Sequence, residues 1–303
     1  MSSVSVEHIS KHYAKVKALE DVSFNVDKGE IFGFIGPDGS GKTTLFRILT
    51  TLLIPDEGVA LINGLDVVKD FRKIRQDIGY MPGRFSLYSD LSVEENLNFY
   101  ATVFGTTVKE NYDLIKDIYN QIEPFKKRKA GKLSGGMKQK LALSCSLIHK
   151  PSVLILDEPT TGVDAVSRLE FWQMLRRLKE SGITIVVATP YMDEAGLCDR
   201  VALIQDGRLM AISTPSEVIK KYPWKIFSVK SDDIFSLLGD LRNFPRVHTV
   251  FAFGQAAHVS FRGEEGDEES LKIYLRTRGH VNIKISPIEP NIEDCFMELM
   301  IVK

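Results

Sequence analysis

Cysteine is scarce in this chain. Three in 303 residues, at Cys145, Cys198 and Cys295, leave no disulfide framework and no metal-type or redox-type spacing. That usage suits a reducing compartment. Charge of one sign is lacking too: 39 Lys and Arg face 40 Asp and Glu, a net charge of −1. No global field therefore favours nucleic acid. The one basic run, Lys126 to Lys129, reads as a solvated helix end. Long apolar runs are absent, and stretches such as Ile183 to Ala188 fall far short of the roughly 18 residues a membrane helix needs. The N-terminus lacks the basic-then-apolar pattern of a secretion signal. No internal repeat is evident. These absences predict a cytoplasmic protein that binds no nucleic acid and touches a membrane only through a partner.

What is present alternates. Residues 4 to 35 read as short strands, among them Val22-Ser23-Phe24-Asn25-Val26 and the apolar Ile31 to Ile35. A helix is expected from Lys42 to about Leu52. Turns at Pro55-Asp56-Glu57-Gly58 and Asn63-Gly64 bracket a strand near Val59 to Ile62. The pattern is helical from Ser92 to about Cys145. Strands return at Val153 to Leu156, Ile183 to Ala188, Val201 to Ile204 and Leu209 to Ile212, with helices at Ala165 to Glu180 and Met192 to Leu197. Strands alternating with helices imply a largely parallel sheet carrying an inserted helical subdomain, with ligands at the strands' carboxyl ends. After Tyr222-Pro223 a different order begins. Strands at Lys225 to Val229, Val247 to Phe253, Ala257 to Phe261 and Val281 to Ile285 interleave with helices at Asp232 to Leu241 and Ser270 to Thr277. That βαββαβ order predicts a small ferredoxin-like α+β domain closed by a helix from Asn291 to Met300. The acidic stretch Glu264 to Glu269 reads as a solvated connection. The expected domains are residues 1–221 and 222–303.

Three motifs carry chemistry. Gly36-Pro37-Asp38-Gly39-Ser40-Gly41-Lys42-Thr43-Thr44 follows an apolar strand and opens a helix, the context in which Gly-x-x-x-x-Gly-Lys-Thr cradles phosphate. Its glycines let successive N–H groups point into one concavity, and the helix N-terminus adds partial positive charge. Lys42 would reach the β- and γ-phosphates of a nucleotide, and the Thr43 hydroxyl would ligate Mg²⁺. Leu133-Ser134-Gly135-Gly136-Met137 opens a second helix. Val153-Leu154-Ile155-Leu156 then ends in Asp157-Glu158, with Val153 standing 17 residues after Gly136.

In this order and spacing the three motifs resemble the ATP-binding-cassette (ABC) ATPases over roughly residues 4 to 220. The resemblance implies a P-loop NTPase cassette: a RecA-like core, an N-terminal antiparallel β subdomain and an inserted helical subdomain. It implies ATP and Mg²⁺ as ligands, and two cassettes facing head to tail. Each site would then take its phosphate loop from one subunit and its signature from the other, so Ser134, Gly135 and Gly136 would serve the partner's nucleotide. Asp157 would hold Mg²⁺ through water, and Glu158 would polarise the attacking water as the catalytic residue. Tyr13 stands where the family places an adenine-stacking aromatic. Thr160-Thr161-Gly162-Val163-Asp164 resembles the loop joining the two sites, and Asp164 is equally suited to cap the next helix. The region Met81 to Tyr100 would border a groove for a membrane subunit, with Phe85 and Tyr88 the best candidates to line it. Small C-terminal domains ending in a motif like Ile292 to Phe296 occur in ATPase subunits of bacterial efflux systems.

Two positions depart from the family. Gly83 stands where Gln is usual, and Pro190 where His usually contacts the γ-phosphate. Proline offers neither a side-chain donor nor a backbone N–H. Losing one preorganised donor costs about 10²–10³ in rate, so the site is slow unless Tyr191 or Arg84 supplies the contact. The resemblance implies an ATP-hydrolysing subunit of a bacterial exporter of drugs, lipids or other amphiphiles, peripheral on the cytoplasmic face of the inner membrane. Its partners would be membrane-spanning permease subunits and a second cassette, a heterodimer being favoured over a homodimer. The alternatives are a regulatory cassette that binds ATP with little turnover, and a soluble non-transport ABC ATPase.

Overall fold

A computed structural model describes residues 2–261 and 268–301. The chain opens with two long strands, β1 (Ser2–Tyr13) and β2 (Val16–Asp27), and the short β3 (Ile31–Ile35). Then come α1 (Lys42–Leu49), β4 (Glu57–Ile62), β5 (Leu65–Asp66), α2 (Phe71–Asp77) and β6 (Ile78–Met81). The helical part holds α3 (Val93–Val103), α4 (Tyr112–Tyr119) and α5 (Gly135–Leu147). Next are β7 (Val153–Asp157), α6 (Ala165–Glu180), β8 (Thr184–Thr189), β9 (Arg200–Gln205) and β10 (Arg208–Ser213). Helix α7 (Pro215–Lys220) precedes β11 (Ile226–Lys230), α8 (Ile234–Arg242), β12 (Val247–Phe253) and β13 (Ala256–Phe261). The chain ends with α9 (Glu268–Thr277), β14 (Lys284–Ile288) and α10 (Ile292–Ile301).

Contacts divide the chain into two units, Met1–Pro215 and Ser216–Lys303. In the first unit an antiparallel sheet ordered β2-β1-β4-β5 accompanies a six-stranded sheet ordered β10-β9-β3-β8-β7-β6. Every pairing in the larger sheet is parallel except β9 with β10. Strands β3, β7 and β8 are buried along their whole length, which is why they read as unbroken apolar runs rather than alternating ones. Phe32, Phe34, Phe46 and Phe24 interlock at ring separations of 4.9–5.7 Å within this core. The expected cassette architecture is thus present, with the loop after β3 at the carboxyl end of a central strand.

Local rules set the helix starts. Ser92 and Glu95 form a reciprocal capping box on α3. Two expectations shift. Helix α1 stops at Leu49 rather than Leu52, because Thr51 takes a left-handed φ of 62° and the Thr50 hydroxyl bonds back to the Phe46 carbonyl. Met192–Leu197 is a 3₁₀ segment rather than an α-helix. Its entry is fixed by side chains, since the Thr189 hydroxyl accepts from the Tyr191 N–H and donates to Glu194.

The second unit carries an antiparallel sheet ordered β12-β13-β11-β14, and its β11-α8-β12-β13-α9-β14 sequence is the ferredoxin-like arrangement. Phe227, Val229, Val259 and Phe261 pack with Leu237, Leu241, Leu271 and Leu275 of the two helices. Strand β14 runs three residues later than the hydrophobic alternation suggests. Asn282 has a φ of 53° and its side chain holds Asp232, so pairing begins only at Lys284, opposite Lys230. Pro287 is tolerated because β14 is an edge strand. Helix α10 is fastened by side-chain hydrogen bonds: Asp294 with His258 at 2.8 Å and Glu298 with His248 at 2.9 Å. The acidic connection falls largely on residues 262–267, outside the described residues; Glu268 and Glu269 open α9. No helix among the described residues is long and apolar enough to cross a membrane.

Candidate functional site

The loop between β3 and α1 depends on close backbone approach at two of its glycines. A Cβ on Gly36 would lie 2.1 Å from the Ile204 carbonyl oxygen. Gly41, at φ +106°, would bring one to 2.5 Å from the Ala18 carbonyl. Gly41 is also the N-cap of α1 and offers no side chain to its first N–H groups, and the first turn holds no acidic residue. Those donors and the helix dipole stay available to an anion. The Ser40 hydroxyl is buried without a hydrogen-bond partner among the described residues, an orphan polar atom suited to a polar ligand.

Lys42 is 3% exposed and its ammonium donates to the Gly36 and Pro37 carbonyls at 2.8 and 2.9 Å. It lies 3.8 Å from Glu158. Burial lowers its pKa, opposed by Glu158, Asp38 and Asp157. The Thr43 hydroxyl donates to Asp157 Oδ1 at 3.2 Å. Burial likewise raises the Asp157 carboxyl, while the Thr43 hydrogen bond and Lys42 pull it down. Nearby Tyr80 is pushed up to about 12 by burial and by Asp157. Burial thus opposes the charge on both Lys42 and Asp157, as expected where a charged ligand completes the site.

Glu158 leaves β7 at φ 50°, a left-handed conformation for a residue with a side chain. Such strain costs about 1–3 kcal/mol and gathers at functional sites. Its N–H donates to the Ala188 carbonyl of β8 at 2.9 Å, and its carboxylate accepts from the Thr161 hydroxyl at 3.4 Å. Gly83 abuts this pair: a Cβ there would come within 3.1 Å of the Asp157 carbonyl oxygen and 3.7 Å of Glu158 Cβ. A side chain at position 83 would require the β7 terminus to shift by a few tenths of an ångström.

The structure thus brings Lys42, Thr43, Asp157, Glu158 and Gly83 together. Asp38 is exposed at the tip of the loop, and Thr44 is partly buried in α1. Tyr13 is 43% exposed at the end of β1, paired with Val16 of the strand whose Ala18 and Leu19 pack on Gly41. Ser134 caps α5, accepting from the Met137 N–H at 3.3 Å. Asp164 caps α6, accepting from the Ser167 N–H at 3.0 Å. A Cβ on Gly135 would meet the Gly162 carbonyl at 3.0 Å, and one on Gly136 the Ser167 hydroxyl at 2.9 Å. The start of α5 therefore packs directly on the loop Thr160 to Asp164 and the first turn of α6. Reading the sequence missed Arg168, Thr189 and Glu194, which link that turn to the end of β8. A lone Arg and an Asp-Glu doublet carry no signal that they will meet.

An apolar cavity of about 400 Å³ is lined by Leu52, Met81, Leu87, Tyr100, Val103 and Phe104, among others. Phe104 stacks on His149 at 3.7 Å. Phe85 and Tyr88 are exposed and do not line it, although Leu87 between them does. Tyr88 instead packs edge-on against Phe99 at 4.8 Å.

A direct consequence concerns Asp157. A carboxyl held above its ordinary range contributes most to stability at acid pH, and that contribution is lost as pH rises through its folded-state pKa. Asp157→Asn removes the loss and leaves Thr43 an acceptor oxygen. The nucleotide-free variant should melt higher than wild type at about pH 7, with the gap shrinking towards about pH 4. A folded variant that melts lower at neutral pH would show that the buried charge is net stabilising.

The ABC transporter family profile matches residues 19–161. Over 217 residues the chain is 40% identical to a probable multidrug ABC transporter ATP-binding protein of Escherichia coli K12. That match covers 71% of this chain and only 38% of the relative's length. Nod factor export ATP-binding protein I of Burkholderia lata is 32% identical, covering 99% of this chain and 97% of that protein. A linearmycin resistance ATP-binding protein of Bacillus subtilis is 30% identical, with 98% and 97% covered. Among solved structures, an ATP-binding subunit of an ABC transporter aligns with a TM-score of 0.67 and 28% identity, over 73% of this chain and 93% of that one. A dimeric, post-hydrolysis ATP-binding cassette holding ADP and Pi aligns at 0.64 and 27%, over 70% and 98%. The chain belongs to the ABC transporter family.

Proposed function

We propose that this chain is the ATP-hydrolysing subunit of a bacterial exporter, working on the cytoplasmic face of the membrane with separate membrane-spanning chains. One observation carries the reading: Lys42, Thr43, Asp157 and Glu158 converge at the carboxyl ends of β3 and β7, beside a glycine loop with unused donors. The phosphate loop binds the triphosphate, and Lys42 exchanges its contacts with the Gly36 and Pro37 carbonyls for the β- and γ-phosphates. The Thr43 hydroxyl and the Asp157 carboxylate are the hard oxygen donors that Mg²⁺ takes. When bound, that ion would neutralise charge on the phosphates. Glu158, held by Ala188 and Thr161, orients water against the γ-phosphate and accepts its proton. Tyr13 stacks on the base. Ser134, Gly135 and Gly136 close the site of a second cassette, a role supported by the absence of acidic residues from the first turn of α5. The apolar cavity beside Leu87 receives a cytoplasmic segment of the membrane chain.

The relatives' names (multidrug transport, Nod factor export, linearmycin resistance) support an amphiphilic cargo. Gly83 and Pro190 favour a heterodimer. Both weaken this chain's own site, whereas its signature, intact, serves the other one. The regulatory-cassette reading rests on the same two residues, and Glu158 in its strained, held position argues against it. Reconstituting the chain with its membrane subunits, with and without a second cassette retaining Gln and His, tests the proposal. Full native turnover without the second cassette would refute the heterodimer, and no ATP binding in either case would refute the ATPase assignment.

The C-terminal domain, taken as residues 222–303, is proposed to be separable. Truncation after Tyr222 should leave ATP affinity within about twofold of wild type, because every nucleotide-site residue precedes it. A truncated chain that fails to fold cooperatively in a thermal melt would contradict the boundary.

A further inference from the structure

Arg168 occupies the first turns of α6, one residue after the Ser167 on which Gly136 packs. Its N–H donates to the Asp164 carbonyl at 2.9 Å, so its backbone is tied to the loop that ends in Asp164. Its guanidinium does three things at once. It pairs with Asp193, sits 3.4 Å from Glu194 through Nε, and lies 4.5 Å over the Tyr191 ring. Glu194 is 1% exposed. One of its oxygens accepts from the buried Thr189 hydroxyl at 2.6 Å, and the other makes no hydrogen bond among the described residues. Arg168 is the cation that meets that second oxygen. Thr189 in turn ends β8 and accepts from the Tyr191 N–H at 3.1 Å, bracketing Pro190. Tyr191 is therefore held through its ring face by Arg168 and through its N–H by Thr189.

We infer that Arg168 is a positioning residue. It fastens the segment after β8, the strand whose Ala188 carbonyl holds the Glu158 N–H, to the turn of α6 that supports Gly135 and Gly136. The inference rests on the ATPase reading above. With proline at position 190 there is no side-chain contact to hold that segment against a phosphate, so its placement depends on the Arg168–Glu194–Thr189 chain. Planar, forked geometry suits the role: one guanidinium hydrogen-bonds Asp193, sets its charge beside Glu194 and stacks on an aromatic face.

The test compares full-length wild type, Arg168→Leu and Arg168→Lys, each assembled with its membrane partners. Misplacing reacting groups by about 1 Å costs on the order of 10²-fold. Arg168→Leu should therefore lose at least about tenfold in kcat while ATP affinity stays within about twofold. Arg168→Lys should recover only part of that loss. Because Arg168→Leu leaves a buried carboxylate uncompensated, the doubly substituted Arg168→Leu, Glu194→Gln chain is carried alongside; it should fold and remain slow. Amide hydrogen exchange on the nucleotide-free chain is read in parallel. Exchange at Tyr191 and Met192 should quicken in both variants, and the Hill coefficient for ATP turnover should fall towards one. Unchanged kcat in a folded Arg168→Leu chain, full recovery in Arg168→Lys, or unchanged exchange at Tyr191 would each overturn the inference. A wild-type chain that binds no ATP would instead sink the ATPase reading, and the exchange measurement would still decide the role of Arg168.

Discussion

Lys42→Ala should abolish ATP turnover and reduce ATP affinity by orders of magnitude, with the fold intact. The ammonium is the mobile cation of the phosphate loop, 3% exposed and poised 2.8–2.9 Å from two loop carbonyls that give way readily to phosphate oxygens. In a site this buried, a cation facing phosphate is screened little by water and is worth far more than on the surface. Burial lowers its pKa, although Glu158, Asp38 and Asp157 work in the opposite direction. The nucleotide-free variant should still unfold in one cooperative thermal transition. That separates a binding role from a structural one. Wild-type affinity and turnover in a folded Lys42→Ala chain would refute the phosphate-loop assignment.

Glu158→Gln should keep ATP binding and lower turnover by about 10²–10⁴-fold, the range for a positioned acid–base group. Gln keeps the size of the side chain and an oxygen for the Thr161 hydroxyl, so the strained turn at φ 50° has no new reason to relax. It cannot accept a proton from water. Bound ATP should then persist and hold two cassettes together, and a dimer should accumulate on size-exclusion chromatography with ATP but not with ADP. If Glu158→Gln hydrolyses ATP at the wild-type rate, another group activates the water. The neighbouring Gly83 sharpens the comparison. Gly83→Gln would not simply restore a lost contact, because its Cβ would crowd the Asp157 carbonyl at 3.1 Å.

Legibility was uneven for identifiable reasons. Helix starts were readable because capping is local: Ser92 with Glu95, Ser134 with Met137 and Asp164 with Ser167 each span three residues. Helix and strand ends were less so. Thr51 and Asn282 adopt left-handed φ values that composition does not announce. The span of β14 was displaced because its register is set by β11, more than 50 residues earlier in the chain. Phe85 and Tyr88 are exposed, whereas Leu87 between them turns into the apolar cavity, a difference in facing that residue type does not announce.

The sequence by itself determined the family, the phosphate loop and the acidic strand end, because these are contiguous motifs whose chemistry lies in residue type and spacing. It also exposed the two departures, Gly83 and Pro190. Only the tertiary structure decided what surrounds them. Gly83 proves to lie against Asp157 and Glu158, some 75 residues away in the chain, where a side chain would crowd the backbone. Gly135 and Gly136, readable as phosphate donors, are also required by the close approach of Gly162 and Ser167. Arg168, Thr189 and Glu194 become one network solely because α6 and β8 are packed together. Ion pairing and steric contact depend on distances of a few ångströms between segments far apart in sequence, and those distances are properties of the folded sheet rather than of any local pattern.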